Sequence, residues 1–326
     1  MKYLFQLIRP LNLVIIAFTM YSTRLFLYLY EVKFNAVIFQ KDGEELDFFL
    51  MVFSTLLIAA AGNMINDYFD VKADRVNKPE KLIITKHVKR RVAILNHLIL
   101  NLLAFSIAIY LSARNHSLWY VFIHLVSINA LWFYSLYFKR KPLIGNIIVA
   151  GLTALVPILC GVHFYVQHQL PPLEKHTFIS NLNYWIFNLG SKGHFIWILG
   201  FFAFSTNLSR EIIKDIQDKS GDLLLKARTI PIIYGTKKSK WLASIFLMLS
   251  PLFFTILFFG KYSKDFPLIE NLQIFLPVIL SFLLDFVAIG VLYKAKTRNS
   301  LKKADFLIKT SMLLGLLLPF YWLING

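Results

Sequence analysis

Long apolar runs separated by short polar breaks fill the chain from end to end. Nine runs stand out, at about 12–30, 47–66, 91–112, 117–137, 143–165, 194–213, 240–259, 271–293 and 305–324. Each holds about 20 residues, enough for a helix rising 1.5 Å per residue to cross a hydrocarbon core of about 30 Å. A segment in hydrocarbon has to satisfy its own backbone N–H and C=O groups, so runs of this length predict helices and not open strands. The expected fold class is all-α, a polytopic membrane protein. Pro157, Pro251, Pro277 and Pro319 fall within or near the ends of runs, where they predict kinks or breaks.

Composition supports this reading. The 326 residues are 57% hydrophobic, whereas soluble domains run nearer 45–50%. The net charge of +17 would by itself suggest nucleic acid, but its distribution excludes that partner. Most of the 35 Lys and Arg lie at the N-terminus and in the breaks after spans 2, 4, 6 and 8, as in Lys89-Arg90-Arg91, Lys139-Arg140-Lys141, Lys237-Lys238 and Lys302-Lys303. The other breaks are mixed or acidic, with Asp42, Glu44, Glu45 and Asp47 in the first. The positive-inside rule then makes the N-terminus and basic loops cytoplasmic and the C-terminus external. In a bacterium this would be the inner or plasma membrane, with membrane lipids as the surroundings. Arg9, Pro10 and Asn12 interrupt the first run and no small-x-small site follows, so an uncleaved span is expected. The one cysteine, Cys160, reads as packing. His97, His124 and His163 fall within spans and read as satisfied polar contacts, since they lack ligand spacing.

Two polar patterns break the apolar rule. Asp67, Asp70 and Asp74 follow span 2; Asp215, Asp218 and Asp222 follow span 6, each 148 positions after its counterpart. The offset suggests one domain over 1–326 built from two related halves, about 1–165 and 166–326. Offsets of three and seven put three carboxylates on one helical face. A single D-x-x-D reads as a solvated acidic helix end. Two copies with one spacing, both at the same ends of spans, call for a shared counter-charge. Mg²⁺ fits, because it takes oxygen ligands and is held by one or two carboxylates plus substrate phosphates. Asn66 adds an amide oxygen and Glu211 extends the second face by a turn. Arg75, Lys78 and Lys81 follow the first set, Lys226 and Arg228 the second, and Lys139 and Arg140 close span 4 on the same side. Such cations could hold phosphate oxygens, or simply obey the positive-inside rule. Aromatic residues make up 16% of the chain; Tyr134, near the mouth, is a candidate to face an allylic cation.

These motifs resemble a known family. N-D-Y-F-D-V-K-A-D-R-V-N-K-P (66–79) is similar to the first signature of the UbiA superfamily of intramembrane prenyltransferases, and R-E-I-I-K-D-I-Q-D-K-S-G-D-L-L-L-K-A-R-T-I-P (210–231) to the second. I-R-P-L-N (8–12) and Y-S-L-Y-F-K-R-K-P-L-I-G-N (134–146) look like further landmarks, so the resemblance covers essentially the whole chain. It implies nine transmembrane helices around a central cavity under a cytoplasmic cap. It also implies Mg²⁺-dependent transfer of a polyprenyl group from its diphosphate to an acceptor. Asn66, Asp67, Asp70 and Asp74 match the first metal-binding motif and Asp218 and Asp222 the second, with Asp215 the extra acid of some branches. Lys78, Lys139 and Arg228 fall at diphosphate-side positions, and Asn12 and Tyr134 at cavity positions. The chain departs from the family after N-K-P, where Glu80-Lys81-Leu82-Ile83 replaces Arg-Pro, and at Leu225-Lys226, where Gly is usual.

The acceptor is less defined. The second motif looks most like the branch that alkylates geranylgeranylglyceryl phosphate, or like chlorophyll-synthase relatives, which favours a lipid alcohol. The alternative is an aromatic acceptor such as 4-hydroxybenzoate or a naphthoate. An aromatic carboxylate calls for a cation facing the cavity. Arg24 lies towards the other end of span 1, so the sequence offers no evident candidate. A transporter is the alternative of another class, but transporters put ionisable groups near the midplane, whereas these aspartates gather at one end.

Overall fold

A computed structural model describes residues 2–35, 43–77, 79–168, 191–257 and 275–325. Among them the α-helices are α1 (Lys2–Leu7), α2 (Pro10–Asn35), α3 (Glu44–Asn77), α4 (Arg90–Arg114), α5 (Trp119–Leu136), α6 (Ile144–His168), α7 (Ser191–Leu224), α8 (Ile230–Ile233), α9 (Gly235–Leu257), α10 (Leu276–Lys294), α11 (Arg298–Gly315) and α12 (Leu318–Asn325), joined by turns and short 3-10 segments. An isolated bridge links Ile84 and Val88. Seven of the described helices, α2 to α6, α9 and α10, are long and apolar enough to cross a membrane. The protein is an integral membrane protein.

The runs expected at 194–213 and 305–324 take other forms. The first lies inside the 34-residue α7. The second is divided between α11 and α12. The cause is Pro319, which has no N–H to donate and whose ring clashes with the carbonyl four residues back, at Gly315, where α11 ends. The expected loops 66–90 and 214–239 also begin as helix. At 1.5 Å per residue, 34-residue helices are about 50 Å long and outreach a core of about 30 Å. The surplus of α3 and α7 carries the aspartates.

Two main clusters form the core. Met20, Phe48, Met51, Leu111, Tyr120 and Leu159 join α2 to α6. Ile212, Ile213, Ala243, Leu247, Leu292 and Ile308 join α7 to α9, α10 and α11. A smaller cluster of Leu7, Met64, Val71, Ile84 and Ala93 supports the far end of α3. Outward faces stay apolar, as in Leu95, Leu98, Leu102 and Leu103 on α4, all exposed. A lipid-facing helix has no reason to turn these inward. At the end away from the aspartates, Arg24 pairs with Glu44 and Glu45, and Arg114 pairs with Asp47. Asp42 and most of the 166–193 segment lie outside the described residues.

Candidate active site

Both aspartate sets line one cavity of about 1090 Å³. This is just above the usual span of small-molecule pockets, about 300–1,000 Å³, so it has room for a chain-bearing substrate. Asn66, Asp67, Asp70 and Asp74 reach it from α3, and Asp215, Asp218 and Asp222 from α7. Asn12, Tyr134 and Lys139 also line it, as do Phe202, Phe254 and Phe282 deeper in. Two of the expected cations are not part of this wall as described. Arg228 has an exposed side chain outside the lining, and its backbone N–H donates to the Arg140 carbonyl at 2.9 Å. Lys78 lies outside the described residues.

Local structure explains how cations arrive at the mouth. Pro10 opens α2, a position where its missing N–H costs nothing. The preceding Arg9 adopts a left-handed φ of 54°, and its guanidinium pairs with Asp67. Asn63 secures this turn by donating to the Ile8 carbonyl at 3.0 Å. Lys139 sits on a 3-10 turn, Phe138–Arg140, against α6 at Gly145. A Cβ at Gly145 would lie 2.8 Å from the Phe138 carbonyl, so only glycine allows that approach. From there Lys139 donates to Asn66 Oδ1 at 3.0 Å and pairs with Asp70. Burial opposes the charge on Lys139, but Asp70, Tyr134 and Asp74 around it hold its pKa above the ordinary lysine range. On the other side, a Thr297–Ser300 capping box starts α11 and presents Arg298 to Asp218 at 3.0 Å.

Asn77 joins the two sets. Its Nδ2 donates to the Asp218 carbonyl at 3.1 Å. Its Oδ1 accepts from Ser220 Oγ at 3.1 Å and from the Gly221 N–H at 3.0 Å. Its own carbonyl accepts from Arg298 at 2.7 Å. Arg9, Arg298 and Asn77 were not among the residues expected at the site. The positive-inside rule already accounted for the first two, and the third was one polar residue inside a longer motif.

Among the described residues, no three His, Cys, Asp or Glu converge as a ready-made metal cage. The donor set still suits a divalent cation completed by phosphate oxygens, since carboxylates face one cavity from two helices. Asp215 adds to this. Burial pushes its carboxyl up to about 7, while the 2.9 Å hydrogen bond from Asn146 works the other way and Asp222 and Glu211 push it further. A nearby cation would favour its charged form.

Below the aspartates the cavity wall carries Arg210, Lys214 and Lys309. This corrects the expectation that no cation faces the cavity. The signal was present in R-E-I-I-K-D, directly before the second aspartate set, where Arg210 and Lys214 had no role of their own. The histidines of the spans have protein partners: His97 bonds the Ala61 carbonyl, His163 bonds Tyr120, and His124, which borders the cavity, bonds Ser54. Asp285, buried in α10, lies outside the cavity lining.

Replacing Lys139 by Met removes a charged hydrogen-bond donor, worth about 1.5–3 kcal/mol. The expected result is a Kd for inorganic diphosphate raised about 10- to 100-fold, read by calorimetric titration.

Residues 36–313 match the UbiA prenyltransferase family. The digeranylgeranylglyceryl phosphate synthase of Methanosphaera stadtmanae is 31% identical over 81% of this chain and 82% of its own length. The Pyrococcus horikoshii protein of the same name is 33% identical over 79% and 80%. A solved structure described as digeranylgeranylglyceryl phosphate synthase in membranes superposes with a TM-score of 0.64 at 23% identity, over 98% of this chain and 96% of that one.

Proposed function

This chain belongs to the UbiA prenyltransferase family, and from that premise we propose that it transfers a geranylgeranyl group from its diphosphate to the hydroxyl of geranylgeranylglyceryl phosphate. The observation that carries this reading is the single cavity lined by both aspartate sets at one end and by Phe202, Phe254 and Phe282 further in. A polar head with an apolar tail matches that gradient. The lipid acceptor follows the relatives, both named for digeranylgeranylglyceryl phosphate.

Asn66, Asp67, Asp70, Asp74, Asp215, Asp218 and Asp222 are the residues that would hold Mg²⁺. When bound, Mg²⁺ neutralises charge on the diphosphate leaving group. Arg9, Lys139 and Arg298 each neutralise an aspartate in the described state; Arg9 and Lys139 line the cavity and can turn to phosphate oxygens once those carboxylates have another partner, while Arg298 holds Asp218 from outside the lining. Lys78 and Arg228 remain candidates for the same task. The bond from C1 to the diphosphate oxygen breaks, the acceptor oxygen bonds to C1, and its proton passes to the departing diphosphate. Tyr134 and the aromatic wall present ring faces to the developing cation and keep water away from it. Asn12 borders the same space.

We read the mouth as cytoplasmic, because the basic helix ends cluster around it, which leaves the C-terminus external. The long ends of α3 and α7, with the segments that follow them, form the cap over the mouth. The middle of α7 and the α11–α12 pair complete nine crossings. The two halves, about 1–165 and 166–326, then form one domain with its site between them.

The test is to incubate purified protein with Mg²⁺, labelled geranylgeranyl diphosphate and a panel of geranylgeranylglyceryl phosphate, geranylgeranylglycerol, 4-hydroxybenzoate and a naphthoate, identifying products by mass. An ether product from the glyceryl phosphate is expected, and chelation should reduce it at least about 100-fold, consistent with the several kcal/mol a metal contributes to charge stabilisation. Product from an aromatic acid alone refutes the acceptor, and ion flux without diphosphate release refutes the reaction class.

A further inference from the structure

The two aspartate sets correspond position by position, but the residues leading into them do not. Where α3 carries Gly62, Asn63 and Asn66, the equivalent positions of α7 carry Arg210, Glu211 and Lys214. Arg210, Lys214, Asp218 and Asp222 recur every four residues, so they form one stripe along the helix. The stripe is acidic at the mouth and basic one to two turns deeper. Lys309 of α11 joins the basic end.

The contacts leave this patch with more positive than negative charge. Arg210 donates to Asp305 at 2.7 Å and to Asn207 Oδ1 at 3.1 Å. Lys309 pairs with the same Asp305 at 2.8 Å, and Lys214 pairs with Glu211. Three cations thus share two carboxylates. Lys214 and Lys309 keep 39% and 44% of their side-chain surface open and line the cavity. The cluster thus carries one positive charge more than its own carboxylates balance, and ionisable groups gathered inside a membrane bundle point to function. If the only task were to hold α7 to α11, Arg210 and Asp305 would suffice.

Resting on the proposed function, we infer that Lys214, Lys309 and Arg210 form the subsite for the anionic head of the acceptor, the phosphate of the glyceryl phosphate. The diphosphate and the acceptor phosphate repel each other, so they need separate sites. In a glyceryl phosphate the reacting hydroxyl and the phosphorus are only a few bonds apart, on the order of 5 Å, or about one helical turn. Lys214 is one turn from Asp218 along α7. That spacing brings the hydroxyl beneath the diphosphate while its phosphate rests on the basic end of the stripe. The α3 side has no such residues, which gives the cavity a donor-only wall and an acceptor wall.

The experiment compares Lys214→Gln and Lys309→Gln with the unaltered protein, using geranylgeranylglyceryl phosphate and its dephosphorylated alcohol as acceptors. The expected result is a KM for the phosphate acceptor raised about 10-fold or more, with the KM for the alcohol and for the prenyl diphosphate within about twofold of the starting values. Glycerol 1-phosphate should compete with the lipid acceptor, and its inhibition constant should rise in the same variants. Activity on the alcohol, or thermal melting in detergent if the alcohol turns over slowly, controls for folding. Equal KM changes for both acceptors, a raised donor KM or an unchanged glycerol phosphate inhibition constant overturns the subsite while leaving the transfer reaction standing. Turnover of 4-hydroxybenzoate but no glyceryl phosphate overturns the underlying function instead.

Discussion

Asp70→Ala and Asp218→Ala, one from each set, are each expected to lower prenyl transfer by about 10³-fold, with the protein still folded in detergent. Electrostatic groups aimed at a leaving group commonly contribute 10² to 10³ per donor, and under the proposed function a lost carboxylate would also lose its share of the Mg²⁺. Asp70 and Asp218 face one cavity from different helices. If they act on one diphosphate, either loss should disable the site and the double variant should be little worse than a single one, as for residues that work as a unit. If the aspartates were only solvated helix ends, their ion pairs would be worth about 0–1 kcal/mol and transfer would hardly change. Asp285→Asn is the control, because Asp285 is buried in α10 away from the cavity lining; it should leave kcat/KM within about twofold. Asp70→Ala also strands Lys139, so Asp70→Asn should melt higher than Asp70→Ala while being nearly as inactive. Wild-type turnover by both single variants would sink the two-sided model.

Much of this could be read from the chain because membranes simplify the code. Length and apolarity alone located the seven described helices that can cross a membrane, and identical spacing alone paired the aspartate sets. What escaped has physical reasons. The run 305–324 read as one crossing with a kink or break at Pro319, because hydropathy does not tell a bent helix from an ended one; here the helix ends, at Gly315. Arg298 was indistinguishable from other basic residues, since topology already demands positive charge at that end, and Arg9, though inside the I-R-P-L-N landmark, had no role attached to it. Only their pairing with Asp67 and Asp218 sets them apart. Arg228 shows the reverse: a basic residue within a motif whose side chain is exposed and outside the cavity wall. Arg210 and Lys214 were in plain view, but their meaning depends on α11 bringing Lys309 and Asp305 to the same place. Long-range pairings of this kind leave no trace in local spacing.

The coupling between the two sets should also be breakable without touching an aspartate. Asn77 is buried, and its side chain holds the Asp218 carbonyl, Ser220 and the Gly221 N–H together. Gly221 is what permits this, because a Cβ there would come within 2.2 Å of Asn77 Nδ2. Gly221→Ala should therefore push the Asn77 amide away, and Asn77→Ala should leave the Gly221 N–H without its acceptor. An unsatisfied buried group costs about 1–3 kcal/mol, so both variants should melt lower yet keep their helices by circular dichroism. The catalytic loss should be larger than the stability loss suggests. A displacement of about 1 Å between groups that must act together can cost about 10²-fold, and here it shifts Asp218 and its partner Arg298 relative to Asp70 and Lys139. The expected signature is a kcat about 10²-fold lower and a higher Mg²⁺ concentration for half-maximal rate. Asn77→Asp separates the two roles of the side chain. It keeps the acceptor for Ser220 and Gly221 but sets an anion against the Asp218 carbonyl, so it should be no more active than Asn77→Ala. If all three variants keep a normal kcat and Mg²⁺ dependence, the two aspartate sets do not depend on Asn77 for their alignment.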